Sequence, residues 1–480
     1  MAVGSSNDFD LVVLGAGTGG YTAAFRAAQL GLRVALVDED KIGGTCLHRG
    51  CIPTKALLES AEMVNRARHL KDYGVVLPGE PTIDYATMAQ RRDQVVKRMW
   101  TGLKSLIDKN KVTWVQGRGR LDGPGRIRVL QAGEDGSPGA GGERTLIATD
   151  VIIATGSRVK SLPGLTPDGV RILTSDDILK SASAPASLIV VGGGAVGVEF
   201  ASFFGDIGTQ VTVLEYLPAI VPLEDREVSQ LLERSFTRRG IRVITKARFD
   251  PASVKVDKKG VRVIVGAEGG PTEEIAAEVL LVAAGRAANV EDIGLETTKV
   301  EVDKGIIKVN GRMRTREPHV YAVGDIVGGL WLAHTAGHEG IVAAHTIAGD
   351  DNVHEIDYVK QPRATYCRPE IASIGLTEQQ CQERGLAYKV GKVPFQAIAK
   401  AVIGGEYEGF AKIIGGTETG DTLGVHLVGP HATDLIAEAS VAFDLEATPG
   451  EIGGATHPHP TLSEILGEAA LAVDGRAINF

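Results

Sequence analysis

The stretch FDLVVLGAGTGG, residues 9–20, runs an apolar segment into Gly15, Gly17 and Gly20. The same arrangement returns at residues 187–197, SLIVVGGGAVG, with Gly192, Gly194 and Gly197. Each copy is followed by a second strand-like run, RVALVD ending at Asp38 and QVTVLE ending at Glu215. The first glycine and the acid are 23 residues apart in both copies, and another glycine, Gly31 or Gly208, stands 16 residues after the first. Glycines in a Gly-x-Gly-x-x-Gly turn between strand and helix let the backbone approach a pyrophosphate, whose charge sits on the helix N-terminus. The acid accepts a hydrogen bond from an adenosine ribose hydroxyl. One such motif also fits a glycine-rich turn with no ligand. Two copies with matching offsets point to two βαβ nucleotide-binding units. A carboxylate at Glu215 repels a 2′-phosphate, and Tyr216, Leu217 and Pro218 follow it rather than an arginine, so the second unit favours NAD over NADP.

Outward from these units, residues 51–109 read as helix-rich, followed by the strand-like runs KVTWVQGRGRL, RIRVLQ and DVIIATGS. Residues 132–142 are polar and Gly-rich, as a hairpin tip would be. VIIATGS (151–157) is echoed by VLLVAAGR (279–286), and VYAVGD carries a third strand to Asp325. From about residue 351 the pattern changes to short strands followed by helices, a separate C-terminal domain. A chain of 480 residues is too long for one ordinary core. With 51 Lys and Arg against 60 Asp and Glu it is acidic, and it has no basic stripe for nucleic acid. Four cysteines are too few for a secreted disulfide scaffold. The small polar residues 1–8 resemble neither a secretory signal nor a transit peptide, and no apolar run nears the roughly 18 residues of a membrane span. The expectation is a cytoplasmic, bacterial protein.

Two further constellations carry chemistry. In GGTCLHRGCIPTK, residues 43–55, Cys46 and Cys51 are five apart. An ideal helix would separate their Cα atoms by roughly 8.6 Å, beyond the reach of about 7 Å that a disulfide allows. The pair can bond only if the backbone departs from a helix, which Gly50 makes easy. A bridge over so short a loop restrains the unfolded chain little, so it is a poor staple and a plausible redox group. Reduced cysteines or metal ligands are the alternatives, but no second ligand pair of similar spacing is evident. Positive charge on His48, Arg49 and Lys55 would favour a thiolate; equally, His48 and Arg49 can face solvent. In HPHPTLSE, residues 457–464, His459 and Glu464 can form an imidazole–carboxylate pair that supplies a base for thiol exchange. A proline-braced surface loop and a His-x-His metal site remain open there.

The order and spacing of GGTCLHRGCIPTK, VVGGGAVGVEF (190–200), VYAVGD and HPHPTLSE resemble the class I pyridine nucleotide–disulfide oxidoreductases, from Phe9 to the C-terminus. Within them the likeness is greatest to members that oxidise dihydrolipoyl groups. The resemblance implies an α/β chain with two Rossmann-like dinucleotide-binding domains, for FAD (1–157) and NAD (158–282). It adds a small central domain (283–350) and a C-terminal α+β dimerisation domain (351–480). It implies that Cys46 exchanges with the lipoyl disulfide and that Cys51 lies against the flavin as the charge-transfer thiolate. His459, oriented by Glu464, is the acid–base, and Lys55 and Glu199 sit near the reactive flavin nitrogen. Gly15, Gly17, Gly20, Asp38, Thr155, Gly156, Ser157 and Asp325 would hold FAD; Gly192, Gly194, Gly197, Glu215 and Gly285 would hold NAD. No metal is implied. The partners implied are a second copy of the chain and the lipoyl-bearing acyltransferase of a 2-oxo acid dehydrogenase complex, with no nucleic acid and no membrane.

There are departures from the family pattern: Asp38 stands where Glu is usual, His48-Arg49 where Asn-Val is common, and Cys367-Arg368 where Thr and His or Asn are usual. Cys367 is expected to be buried filler. Glutathione- and mycothione-type reductases share the disulfide, the former usually with NADP. Mercuric reductases add a C-terminal cysteine pair, and this chain has no cysteine after Cys381. A non-catalytic flavoprotein subunit would have lost the cysteine pair or the His–Glu pair.

Overall fold

The computed structural model describes residues 8–131, 133, 141–267 and 270–480. The opening residues and most of the expected 132–142 hairpin tip lie outside the described residues. The chain divides into two compact units, each drawn from three stretches of sequence. One comprises the residues up to Pro53, Gln90–Lys160 and Arg286–Tyr358; the other comprises Thr54–Ala89, Ser161–Gly285 and Val359–Phe480.

The first unit is built on strand Asp8–Leu14, whose apolar residues 11–14 are buried as a strand covered on both faces requires. It pairs in parallel with Val34–Asp38 on one side and Glu143–Ile153 on the other. Thr113–Leu121 extends the parallel sheet beyond Val34–Asp38, and Val320–Ala322 extends it beyond Glu143–Ile153. Two strands serve twice. Residues 113–116 and 147–153 run in the parallel sheet, while 117–121 and 143–147 form an antiparallel meander with Arg126–Gln131. Helix Thr18–Gln29 packs against helix Ala333–Ile347 at small residues: a Cβ on Gly340 would come within 2.5 Å of the Gly19 carbonyl oxygen.

The second unit repeats the scheme. Parallel strands lie in the order Arg242–Ile244, Gln210–Leu214, Ser187–Val191, Val279–Val282, Ile172–Thr174. Helix Ala195–Asp206 covers them, burying Phe200, Phe203 and Phe204, with the last two rings 4.8 Å apart. Each such ring contributes roughly 1.5–3 kcal/mol by leaving water. The C-terminal part is an antiparallel five-stranded sheet in the order Arg363–Thr365, Glu370–Gly375, Thr422–Gly429, Phe410–Gly416, Tyr388–Pro394. Helices Ala432–Asp444 and Glu464–Ala472 contribute to its core.

Two expectations are refined. The 51–109 stretch is two long helices, Cys51–His69 and Tyr85–Lys109, separated by a short 3-10 turn and an exposed connection. The VYAVGD strand stops at Ala322, because Gly324 turns at φ +82 and a 3-10 turn, Gly324–Val327, carries Asp325.

Candidate active site

The two glycine turns are near replicas in atomic detail. Gly15 (φ +100) and Gly192 (φ +111) both take the left-handed backbone that favours glycine. Gly15 N–H donates to Val37 O at 2.8 Å, and Gly192 N–H to Leu214 O at 2.9 Å. A Cβ on Gly20 would fall 1.9 Å from Gly15 O, and one on Gly197 1.9 Å from Gly192 O, so the third glycine is required for helix and strand to meet. The acids also match. Asp38 Oδ2 accepts from Ala16 N–H and Glu215 Oε2 from Gly193 N–H, both at 2.6 Å. Burial pushes the Asp38 carboxyl above its ordinary value, against the pull of the Ala16 and Asp40 amides.

What these helices lack shows what they fit. Thr18–Gln29 and Ala195–Asp206 begin at Gly17 and Gly194 with no side-chain cap and no acid in the first turn. A Cβ on either glycine would meet nothing within 4 Å. Helix Arg226–Arg238, by contrast, is capped by Asp225. Open N–H groups, the positive helix end and clear space suit a pyrophosphate in both units.

The cysteine turn is joined to the first of these. Gly43 N–H donates to Ala16 O at 2.8 Å, and a Cβ on Gly44 would come within 2.6 Å of Gly17 Cα. Cys46 lies in helix Gly44–Arg49, the chain leaves helical geometry at Gly50 (φ −142, ψ −112), and Cys51 opens the next helix. The departure from a helix that a bond between them requires is therefore built in. Both cysteines are half-buried. His48 does not simply face solvent: its Nε2 lies 2.9 Å from Ile42 O and its ring meets Trp100 edge-on. Arg49 lies 3.4 Å from Asp40.

Sequence reasoning missed several neighbours. Tyr21 is a neighbour of Cys46 and Cys51, and burial raises its phenol above the ordinary value. Arg286 donates to Ser157 Oγ at 2.6 Å, and that hydroxyl donates to Asp325. Asn289 ties down the turn around Thr155 and Gly156, donating to Thr155 O from its side chain and to Gly156 O from its backbone, each at 2.9 Å. Buried Glu339 accepts from Gly324 N–H and, at 2.9 Å, from Tyr358 OH, beside a shallow groove that Asp325 also lines. Burial pushes the Glu339 carboxyl up to about 7 from 4.5. The folded protein therefore holds this proton more tightly than the unfolded chain, and stability is lost as pH rises from 4.5 through 7. Cofactor-free protein should lose on the order of 3 kcal/mol from this group between pH 4.5 and 8. Urea unfolding at the two pH values checks it: Glu339→Gln should flatten that slope, and an unchanged slope would reject it.

In the second unit Lys55 Nζ lies 2.8 and 2.7 Å from the two oxygens of buried Glu199. Tyr366 completes this group, its amide donating to Glu199 Oε1 at 2.9 Å and its ring 4.7 Å from the Lys55 ammonium. His459 Nδ1 is 2.8 Å from Glu464 Oε1, and Thr461 N–H donates to Glu464 Oε2 at 2.8 Å. Burial opposes ionisation of Glu464, but these hydrogen bonds outweigh it and hold the carboxyl below its ordinary range. The His459 side chain is 72% exposed, so its Nε2 edge can meet a reactant. His457 lies 2.7 Å from Glu438 and 3.1 Å from Ala455 O, so it braces the loop and offers no free edge for a His-x-His metal site. The cysteines belong to the first unit, the two ion pairs to the second.

Residues 9–340 match the family described as pyridine nucleotide-disulphide oxidoreductase, and 361–470 match its dimerisation domain. The chain belongs to the pyridine nucleotide-disulphide oxidoreductase family. It is similar to the dihydrolipoyl dehydrogenase of Bacillus subtilis, 47% identical over 99% of this chain and 100% of the relative. That of Zymomonas mobilis is 43% identical over 99% and 100%. Among solved structures, LpdA from Mycobacterium tuberculosis is 30% identical with a TM-score of 0.86, covering 96% of this chain and 98% of that one. As a member of the family the chain is an oxidoreductase with a redox disulfide, FAD and NAD. No helix among the described residues is long and apolar enough to cross a membrane.

Proposed function

We propose that the residues assembled above carry out dihydrolipoyl dehydrogenation. The chain oxidises dihydrolipoamide and reduces NAD+ to NADH, as an FAD-dependent dihydrolipoyl dehydrogenase. The observation that carries the residue assignment is the cysteine turn stitched to the first glycine turn. A substrate thiolate attacks Cys46 of the Cys46–Cys51 disulfide; a mixed disulfide forms and Cys51 leaves as a thiolate. The second substrate thiol, deprotonated by His459, attacks the substrate sulfur in that mixed disulfide. The lipoyl disulfide forms and Cys46 is released. Glu464 orients His459 and stabilises the imidazolium that results. FAD, when bound, would supply the two-electron redox chemistry that links the cysteines to NAD. Gly15, Gly17, Gly20, Asp38, Thr155, Gly156, Ser157 and Asp325 would hold it, and the Lys55–Glu199 pair would serve its reactive nitrogen. Gly192, Gly194, Gly197, Glu215 and Gly285 hold NAD.

The assembly is a homodimer. Docking to a lipoyl-bearing acyltransferase and a cytoplasmic location complete the reading. The test is a panel of lipoamide, glutathione disulfide and mycothiol disulfide with NADH and NADPH. Turnover with lipoamide and NADH alone is expected; preference for another disulfide would replace this substrate assignment.

Glu215→Arg removes a repulsion and adds a phosphate partner, so the ratio of kcat/KM for NAD to that for NADP should fall on the order of 10- to 100-fold. Steady-state kinetics with both nucleotides measures it, and an unchanged ratio would mean that Glu215 does not face the ribose.

A further inference from the structure

The second unit buries a charged cluster to which the chemistry above gives no role. Lys412, in strand Phe410–Gly416, has no exposed side-chain surface, and its Nζ lies 3.1 Å from Asp225 Oδ1 and 2.9 Å from Glu227 Oε2. Glu378 is a third carboxylate on the same ammonium. Beside it, Arg363 Nε lies 3.3 Å from Glu224 Oε1, and Ser373 donates to the other Glu224 oxygen. Buried ion pairs are often no more stabilising than apolar packing of the same volume, so stability alone is a weak reason for them.

The carboxylates lead back to the second glycine turn. Glu224 and Asp225 end the segment that follows Glu215. Within it Val221 stands at φ +41, a left-handed conformation in which a β-branched residue is out of place, and it is buried. Its N–H donates to Gly193 O at 2.7 Å, and its carbonyl accepts from Glu224 N–H at 2.9 Å. Ile220 packs beneath the turn so closely that a Cβ on Gly193 would meet its Cγ2 at 2.7 Å. The N–H of Gly193 is held by Glu215. The residue at the centre of the turn is thus gripped by the ribose-side acid on one side and a strained valine on the other.

We propose that residues 220–225 form a strap that sets the NAD turn, with Lys412 and Arg363 acting through Asp225 and Glu224 as positioning residues for NAD; this rests on reading Gly192–Gly197 and Glu215 as the NAD site. A strained backbone persists only where its surroundings over-determine it. The anchors lie three and four residues beyond Val221, on the far side of a turn closed by the Glu224 N–H. Without them Val221 relaxes to negative φ, its N–H leaves Gly193 O, and the turn that meets the pyrophosphate loses its fixed geometry. An ion pair locks one register of the strap, whereas apolar contact lets it slide. Lys412 and Arg363 lie in the five-stranded sheet of the dimerisation domain, so that sheet braces the nucleotide turn.

The test uses FAD-loaded dimers of Lys412→Met and of the milder Glu224→Gln, with Glu215→Arg alongside. Three quantities are read: NAD affinity by calorimetry, reduction by dihydrolipoamide in the absence of NAD, and hydrogen exchange of residues 190–197. Lys412→Met should weaken NAD binding about tenfold and Glu224→Gln less, with exchange at Gly193 accelerated and reduction by dihydrolipoamide within about twofold of wild type. Adding Val221→Gly to Lys412→Met should restore affinity, because glycine keeps the same φ without strain. A bracing role elsewhere in the fold would not be rescued there. Unchanged NAD affinity in Glu224→Gln and in Lys412→Met overturns the strap. So does a parallel loss of both half-reactions with no rescue. If Lys412→Met yields no folded dimer, unchanged affinity in Glu224→Gln alone overturns it. If Glu215→Arg also leaves NAD binding untouched, the NAD reading of this turn fails and the strap with it. A response at Glu215 with none at the anchors rejects the strap only.

Discussion

Cys51→Ser protein is expected to keep its FAD and to lose lipoamide turnover by a factor on the order of 10⁴ or more, the scale on which loss of a reacting group acts. Serine preserves the shape at the start of helix Cys51–His69, so folding and the first glycine turn should survive. No disulfide can form with Cys46, so dihydrolipoamide has nothing to reduce, and the long-wavelength absorbance of a thiolate beside the flavin should vanish on two-electron reduction. No other cysteine can substitute. Cys367 is fully buried, its thiol is pushed far up by that burial, and its sulfur lies 3.2 Å from Pro369 O; Cys381 has no exposed surface. Spectra of the anaerobically reduced variant, together with steady-state rates, make the check. Normal turnover would reject the disulfide assignment.

The parts of this molecule that were legible in the sequence are those fixed by local backbone demands. Gly15 and Gly192 need positive φ, Gly20 and Gly197 need room against a carbonyl, and the acid must come at the end of the next strand, so the requirement recurs at fixed offsets. Cys46, Gly50 and Cys51 are legible for the same reason: the break in the helix lies between them. What stayed hidden is held by contacts across long stretches of chain. Tyr366 reaches Glu199 across 167 residues, and does so with its backbone amide, which no side-chain pattern betrays. Asn289 and Arg286 support Thr155 and Ser157 from more than 120 residues away. Lys412 sits in a strand that reads as apolar, and its partners lie 187 and 185 residues back. A buried lysine inside FAKIIG was the one available signal, since Lys is almost never fully buried without partners. The setting of His48 was hidden too, because the Ile42 carbonyl that meets its ring nitrogen and the Trp100 ring beside it are invisible in GGTCLHRGC.

The exposed His459 gives the second large effect. Its pair with Glu464 is formed and oriented, yet it lies in the dimerisation region, more than 400 residues after Cys46. We propose that this exposed acid–base, in the region that matches the dimerisation domain, serves the disulfide of a second copy. Cys46→Ser and His459→Ala homodimers should each be nearly inactive with lipoamide, the latter by roughly 10²- to 10⁴-fold. If the two are unfolded and refolded together, random exchange makes about half of the dimers mixed. In each mixed dimer the chain with intact cysteines meets an intact His459 from the other chain, giving one good site and one doubly defective site. About a quarter of wild-type activity should therefore return. A histidine acting within its own chain predicts the opposite, since no mixed dimer would then contain an intact site. Mixed dimers can be isolated by tagging the two variants differently, so that their formation is established before activity is read. Activity near a quarter in the starting mixture, and near half in the purified mixed dimer, is the expected pattern for a shared site. Inactive mixed dimers would return His459 to its own chain's disulfide or remove it from the reaction.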